Sequence, residues 1–154
     1  MGLATNSAIQ ANANKPRPYN GDEMILCPIH SSDFNHTCAV IVTGDGINAC
    51  GHTLLHIGDS WYVHIAGLYN RPKFLHESGY QRYLKENGKK EIRRWLIMIP
   101  NPTGAHARLH ELTAKPWFWG IVAHNCSSFA EDVVRAGGSN AGQYLNCPLV
   151  EPFA

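Results

Sequence analysis

The chain has 154 residues, which is enough for one domain with a buried core. Hydrophobic residues make up 44% of it and charged residues 16%, a balance typical of globular rather than disordered chains. The net charge of +1, with His neutral, gives no overall attraction to nucleic acid, and no apolar run approaches the ~20 residues that span a membrane. We therefore expect neither a nucleic-acid partner nor stable membrane insertion.

The first part of the chain is polar and rich in Asn, Ala and Pro. Residues 1–22 are expected to form a flexible leader, and residues 23–154 a single domain. The first twenty residues contain neither a basic n-region nor an apolar h-region. We therefore expect no Sec signal peptide, and synthesis in the cytoplasm.

Five cysteines, an odd number, occur without any C-x-x-C pair. This pattern argues against a zinc ribbon and against a complete disulfide framework. A bridge between Cys27 and Cys147, near the two ends of the chain, stays open because spacing alone does not decide it.

The strand pattern begins at residues 38–43, CAVIVT, which a Gly-Asp-Gly turn follows. Residues 51–67, GHTLLHIGDSWYVHIAG, give the clearest hairpin signal, because apolar and polar residues alternate on both sides of a Gly-Asp-Ser turn. With residues 58–60 as the loop, Ile57 faces Trp61. The odd-numbered residues then form one apolar face.

The other face of this hairpin carries two histidines. The predicted register makes His52 and His64 diagonal neighbours, roughly 7–8 Å apart at the backbone, so that their side chains can meet. The chain has nine histidines, and either of these two could instead be a surface or a core residue.

The second half of the chain predicts mainly helices. Residues 69–94 are basic, with eight Lys/Arg against three Glu, and are expected to form a solvated face or to attract carboxylates of a substrate or partner. The elements expected in chain order are a helix at 75–86 stopped by Asn-Gly, a buried strand at 95–99, a helix at 103–114, a brief strand at 121–123, and a helix that Asn125 opens and Gly137-Gly138 ends.

Cys126 falls in the first turn of that last helix. A thiolate there is stabilised by the helix dipole and by free backbone N–H groups, which can also hold the oxyanion of a tetrahedral intermediate. Considered alone, such a cysteine is more often a small buried hydrophobe. Beside His52 and His64 it predicts a nucleophile whose proton His52 accepts while His64 orients the His52 ring.

Metal binding is the alternative use of the histidines. His106 and His110 have i, i+4 spacing on a predicted helix and could bind zinc as a pair. Neither an HExxH motif nor a third ligand accompanies them, so we expect no metal, and cysteine chemistry needs no organic cofactor. Cys50 and His124 flank the predicted site in sequence and are candidates to line its cleft.

The two chemistry-bearing segments resemble a known family. H-T-L-L-H-I-G-D-S-W-Y-V-H is similar to the hairpin of the circularly permuted NlpC-type papain-like superfamily, which includes the lecithin retinol acyltransferase branch. In that hairpin a catalytic His begins a strand, Gly-Asp makes the turn, and a second His follows on the next strand. N-C-S-S-F-A-E-D-V-V-R-A-G-G resembles the family's Asn-Cys-x-x-Phe helix, and residues 101–109 echo its Asn-Pro-x-x-Ala helix. The order of His before Cys marks the permutation, and the resemblance covers about residues 48–138.

The resemblance implies an α+β, papain-like fold in which an antiparallel sheet packs against the helix that carries the nucleophile. It implies Cys126 as nucleophile, His52 as base and His64 as the residue that orients the base. The implied activity is that of a thiol-dependent amidase or peptidase acting on cell-wall peptidoglycan, or of an acyltransferase or deacylase acting on lipids or thioesters. Thr53 replaces an aromatic residue common in the lipid-acting branch, and the apolar anchoring tail of that branch is missing. Both departures weigh against a lipid substrate.

Size and the absence of a signal sequence suggest how such an enzyme would reach the cell wall. We expect an antibacterial effector similar to the type VI secretion amidases, delivered by a contact-dependent secretion system to the target-cell periplasm. Its substrate would be the peptidoglycan stem peptide, and an immunity protein would be its partner. A catalytically inactive binding module with the same fold is the alternative outside the enzymes.

Overall fold

A computed structural model gives the fold of residues 17–44, 51–66, 69–118 and 125–140. For residues 69–70, 118 and 125–128 the description is limited to the backbone. This part of the chain contains one 3-10 helix, seven strands and three α-helices. The 3-10 helix is Ser31–Asn35; the strands are β1 (Thr37–Val42), β2 (His52–Ile57), β3 (Trp61–His64), β4 (Tyr69–Asn70), β5 (Lys73–His76), β6 (Glu91–Ile97) and β7 (Trp117–Phe118); the helices are α1 (Glu77–Glu86), α2 (Pro102–Thr113) and α3 (Asn125–Ala136).

Five strands form one antiparallel sheet, in the order β5-β3-β2-β1-β6. β2 and β3 are the predicted hairpin, and Ile57 pairs with Trp61, which confirms the expected register. The first loop residue, Gly58, has a φ of +70°, a left-handed conformation that glycine adopts without strain. A second, two-stranded sheet joins β4 to β7.

Helices α2 and α3 cover one face of the large sheet. The odd-numbered hairpin residues Leu55, Ile57 and Val63 pack there against Leu109 of α2 and against α3. The apolar stripe predicted for α3 is confirmed, because all four of its members are fully buried: Phe129, Ala130, Val133 and Val134.

The opposite face of the sheet is buried under helix α1. Leu54 and Tyr62 of the hairpin pack there against Tyr80 and Tyr83. The rings of Tyr62 and Tyr80 stack with their centroids 4.0 Å apart, a separation at which aromatic rings attract each other. The sheet is therefore the middle layer of three, and the expected α+β class is confirmed.

The strand expected at residues 95–99 differs from the one observed. β6 begins earlier, at Glu91, and lies at an edge of the sheet. Leu96 and Met98 are 57% and 76% exposed, so the expectation of a buried strand is wrong there. Helix α1 also begins two residues later than expected, because residues 73–76 pair with β3 as strand β5.

Several expectations concern the cysteines and the unassigned segments. Cys27 carries a free thiol and so forms no bridge to Cys147, which lies outside the described residues. The strand expected at 121–123 also lies outside them, as do residues 1–16 of the leader. None of the described helices is long and apolar enough to cross a membrane.

Candidate active site

Two histidines meet at one end of the β2–β3 hairpin, on the face that α1 covers. His52 is the first residue of β2 and His64 the last residue of β3. Nε2 of His52 lies 2.7 Å from Nδ1 of His64, and the two ring planes stand at 82° to each other. The side-chain contact that the hairpin register predicts is therefore confirmed.

The protons of this pair follow from its outer partner. Nε2 of His64 lies 2.7 Å from the backbone carbonyl oxygen of Asn20. A carbonyl oxygen only accepts hydrogen bonds, so Nε2 of His64 must carry a proton and donate it. In neutral His64 the Nδ1 atom is then an acceptor, and His52 donates to it from Nε2. Nδ1 of neutral His52 consequently carries a lone pair rather than a proton.

Burial keeps both imidazoles neutral. His64 is 1% exposed, and desolvation lowers its pKa to about 4, against the opposing effect of the Asn20 hydrogen bond. Desolvation, followed by the proximity of His64 and Lys89, holds the pKa of His52 well below its usual range. The pair is thus uncharged at neutral pH, which is the state a general base needs before it accepts a proton.

Two lysines place positive charge near the pair. Lys73, which pairs with His64 across the sheet, lies 3.5 Å from the carboxylate of Glu23. Lys89 donates from Nζ to the carbonyl of Thr43 at 2.8 Å. Both lysines lower the pKa of His64. The sequence indicates them only as members of the basic segment 69–94.

Asn20 is the group at this site that the sequence does not single out. Its contribution is a backbone carbonyl, which every residue type carries, and it lies 44 positions from His64. No residue pattern around position 20 indicates this contact.

Cys126 lies in the first turn of α3, as the sequence predicts. The far end of α3 is fixed beside the start of α2, since the amide of Asn101 donates to the carbonyl of Gly137 at 2.8 Å. This corner follows the end of β6, which lies level with the Ile57 end of β2. α3 packs along β2 and its twelve residues span about 18 Å, so its first turn is directed toward the end where His52 begins β2.

The body of α3 and the histidine pair lie on opposite faces of the sheet. A contact between Sγ of Cys126 and His52 therefore has to be made around the end of the sheet. The side chains of residues 125–128 lie outside the described part of the chain, as do Cys50 and His124. The predicted contact between Cys126 and His52 stays a prediction.

Among residues 17–44, 51–66, 69–118 and 125–140, no group of three His, Cys, Asp or Glu residues is arranged to hold a metal ion. His106 and His110 stack along α2 with their ring centroids 6.4 Å apart.

Comparison of the chain with protein-family models, with curated proteins and with solved structures finds no match. The assignment of a function therefore depends on the geometry of the site itself.

Proposed function

We propose that the chain is a papain-like cysteine hydrolase of the permuted NlpC type, with Cys126 as nucleophile and His52 as its base. The observation that carries the proposal is the chain of hydrogen bonds from the Asn20 carbonyl through His64 to His52. It leaves the lone pair of the neutral base on a defined atom, Nδ1 of His52. The position of Cys126 in the first turn of a helix directed toward the same end of the sheet supplies the second half of the argument.

The reaction uses this proton arrangement directly. Nδ1 of His52 accepts the thiol proton, and the Cys126 thiolate attacks the carbonyl carbon of an amide. The negative charge that develops on the oxygen is stabilised by backbone N–H groups at the start of α3. Protonated His52 keeps donating from Nε2 to His64 and gives its Nδ1 proton to the leaving amine. Water, deprotonated at the same atom, then attacks the thioester and releases the carboxylic acid and the thiol.

Charge near the pair supports an acidic substrate. Lys73 and Lys89 lie close enough to His64 to lower its pKa, and positive charge at this position favours carboxylates. Stem peptides of bacterial peptidoglycan carry such carboxylates beside the amide bonds that an amidase cleaves. We therefore propose a peptidoglycan stem-peptide amide as the substrate.

Digestion of purified sacculi tests this activity. Wild-type protein should release peptide fragments that mass spectrometry identifies, and Cys126→Ala should lower the rate by at least about a thousandfold. Cys27→Ala is the matched control, because it removes a free, partly buried thiol that packs against the core under α2 and α3, on the sheet face opposite the histidine pair. Equal activity of all three proteins would exclude Cys126 as the nucleophile.

Thiol reactivity separates an enzyme from a binding module that has kept only the fold. Burial raises the pKa values of the Cys27 and Cys38 thiols, so both should react slowly with iodoacetamide at pH 7. An activated Cys126 should react faster than free cysteine, and Cys126→Ala should lose that fast phase. A wild-type protein without a fast phase would favour the binding module.

A lipid substrate distinguishes the proposed amidase from an acyltransferase or deacylase of the same fold. Incubation with phospholipid vesicles should give neither fatty acid nor acyl transfer. Their appearance, with sacculi left intact, would assign the acyltransferase or deacylase activity instead.

We also propose that the protein acts as an antibacterial effector, delivered by a contact-dependent secretion system and countered in the producing cell by an immunity protein. Expression in a bacterial host should be harmless in the cytoplasm and should lyse cells when a periplasmic signal is added. Cys126→Ala should be harmless in both compartments. Equal harmlessness of the wild type in both would contradict the proposed delivery and target.

A further inference from the structure

We propose that residues 17–22, called the strap from here on, are a positioning element of this site: the strap fixes the tautomers of both histidines through the Asn20 carbonyl. The inference rests on the proposed function, because it concerns which nitrogen of His52 can act as the base. It adds to that function a part of the chain that lies outside the histidine and cysteine motifs.

The hydrogen bond between Nε2 of His52 and Nδ1 of His64 can be donated by either histidine, and the two proton arrangements exclude each other. With the Asn20 carbonyl in place, His64 donates outward from Nε2 and accepts from His52 at Nδ1. Without that acceptor, Nε2–H of His64 would be buried and unpaired, at a cost of about 1–3 kcal/mol. Moving the proton to Nδ1 of His64 leaves an unpaired acceptor at Nε2 instead, so the preference between the two arrangements is lost. In the reversed arrangement Nε2 of His52 must accept. The proton of neutral His52 would move to Nδ1, which is the atom that has to receive the thiol proton.

On the N-terminal side of Asn20, the strap is anchored through Tyr19. The amide of Tyr19 donates to the Glu86 carboxylate at 2.9 Å, and Nδ2 of Asn87 donates to the Tyr19 carbonyl at 2.8 Å. The Arg82 guanidinium lies over the Tyr19 ring, 4.4 Å from its centroid. All three partners lie on or directly after helix α1.

The strap is anchored again after Asn20. Asp22 and Phe74 exchange two backbone hydrogen bonds, each of 2.8 Å, so the strap extends the sheet beside β5. Between the two anchors Gly21 has a φ of +110°. A Cβ atom at Gly21 would lie 2.9 Å from Cβ of Lys73 and 3.2 Å from the Phe74 carbonyl oxygen, so only glycine fits this close approach.

These anchors allow the strap to be disturbed without altering the histidines or their strands. Gly21→Ala adds one methyl group where both backbone angle and space oppose it. Gly138→Ala is the matched control: Gly138 also has a positive φ, of +79°, but an added Cβ would meet only ordinary contacts at 3.7–3.8 Å. Gly138 follows α3, on the other side of the sheet. The control therefore reproduces backbone strain without moving the strap.

The first measurement is the ¹⁵N NMR spectrum of the histidine rings at pH 7, which distinguishes protonated from unprotonated ring nitrogens. In the wild type and in Gly138→Ala, both histidines should show a protonated Nε2 and an unprotonated Nδ1. In Gly21→Ala, the Nδ1 signals of both should shift toward the protonated position. Unchanged ring signals in Gly21→Ala with the strap displaced, seen as loss of the Asp22 amide protection, would overturn the inference.

The second measurement compares two shortened chains by the same spectrum and by the rate of sacculus digestion. A chain that begins at residue 17 keeps the strap and should behave as the full chain. A chain that begins at residue 23 should show the altered tautomers and a kcat/KM lower by about tenfold or more, since a wrong His tautomer can cost up to about 10⁴ in rate. Identical spectra for the two chains would refute the role of the strap. If the wild type does not digest sacculi, the proposed hydrolase is wrong, and the spectra still decide whether the strap fixes the tautomers.

Discussion

The imidazole of His64 has an environment that tolerates only its neutral form. The Tyr83 ring lies edge-on to it, 5.3 Å between centroids, and Lys73 and Lys89 contribute positive charge nearby. A positive charge on the imidazole would be buried, and its acceptor at Nε2 is the neutral Asn20 carbonyl rather than a carboxylate. His64 is therefore suited to orienting His52 through a hydrogen bond rather than to carrying charge.

This environment predicts how stability depends on pH. The pKa of His64 in the folded protein is about 4, below the ~6.5 of an unfolded chain. The contribution of neutral His64 to the free energy of unfolding is therefore complete above pH ~6.5. It is lost as the pH falls toward 4, because the unfolded state then binds a proton that the folded state does not. In that window one such proton makes the free energy of unfolding fall by about 1.4 kcal/mol per pH unit.

Urea unfolding between pH 7 and pH 4 measures this effect. The free energy of unfolding of His64→Gln should fall less steeply with decreasing pH than that of the wild type, and the difference should correspond to about one bound proton. Gln can both donate to Asn20 and accept from His52, but it does not titrate. His110→Gln, on the exposed side of α2, is the control and should keep the wild-type slope. Equal slopes for all three proteins would mean that His64 takes up its proton over the same pH range in the folded and unfolded states.

At the scale of elements, the helix that carries Cys126 is fixed to α2 by a two-point ion pair. Nε and Nη2 of Arg108 lie 2.8 and 3.0 Å from the two carboxylate oxygens of Asp132 on α3. Nη1 of the same arginine reaches Glu111 within α2 at 3.1 Å. Bidentate pairing between helices restricts orientation more than an exposed pair within one helix does.

Asp132 on α3 and Glu111 within α2 bind the same arginine, so removal of one charge is the control for removal of the other. Asp132→Asn should lower the free energy of unfolding by about 1 kcal/mol, because the bidentate charge interaction is lost in a half-buried setting. Glu111→Gln should cost less than about 0.5 kcal/mol, the usual worth of a pair three residues apart on an exposed helix surface. Urea midpoints at constant m-value give both numbers. Equal losses would show that the link between helices adds nothing to an ordinary surface pair.

Elements governed by local chemistry are the ones the sequence predicts. The hairpin follows from strict alternation around Gly58, and α2 begins where the Asn101 side chain accepts from the amide of Gly104. α3 ends at Ala136, and Gly138 follows it in a left-handed conformation, with the amide of Ser139 donating back to the Val134 carbonyl at 3.0 Å. The meeting of His52 with His64 belongs to the same group, since the hairpin register alone determines it.

The second core under α1 could not be predicted in this way. Arg94, a member of the basic segment, donates to Nδ1 of His56 at 3.0 Å and to the Tyr62 hydroxyl at 2.8 Å. These partners lie 38 and 32 positions away, so no local pattern indicates that the charge is turned toward the sheet. The same holds for the Asn20 carbonyl at the histidine pair. The tertiary fold brings both groups to their partners.

At the scale of the whole molecule, the sheet between two cores should be the most stable part of the structure. β1 lies between β2 and β6, and all six of its residues are buried. Its backbone is paired with strands on both sides, so we expect water to reach its amides only when the sheet itself opens. The strap, in contrast, is attached at the edge of the sheet through the backbone pair of Asp22 and Phe74 and to α1 through Tyr19, and we expect it to detach before the sheet opens.

Native-state hydrogen exchange should reveal this difference. The amides of Val40 and Ile41 should exchange with the free energy of global unfolding, and that free energy should fall with urea at the full m-value. The amide of Asp22 makes a hydrogen bond of only 2.8 Å, yet it should exchange with a smaller free energy and little dependence on urea, because its opening exposes little surface. Exchange of Asp22 at the global free energy and with the full m-value would show that the strap unfolds together with the sheet, and that the histidine pair loses its outer acceptor only when the whole domain opens.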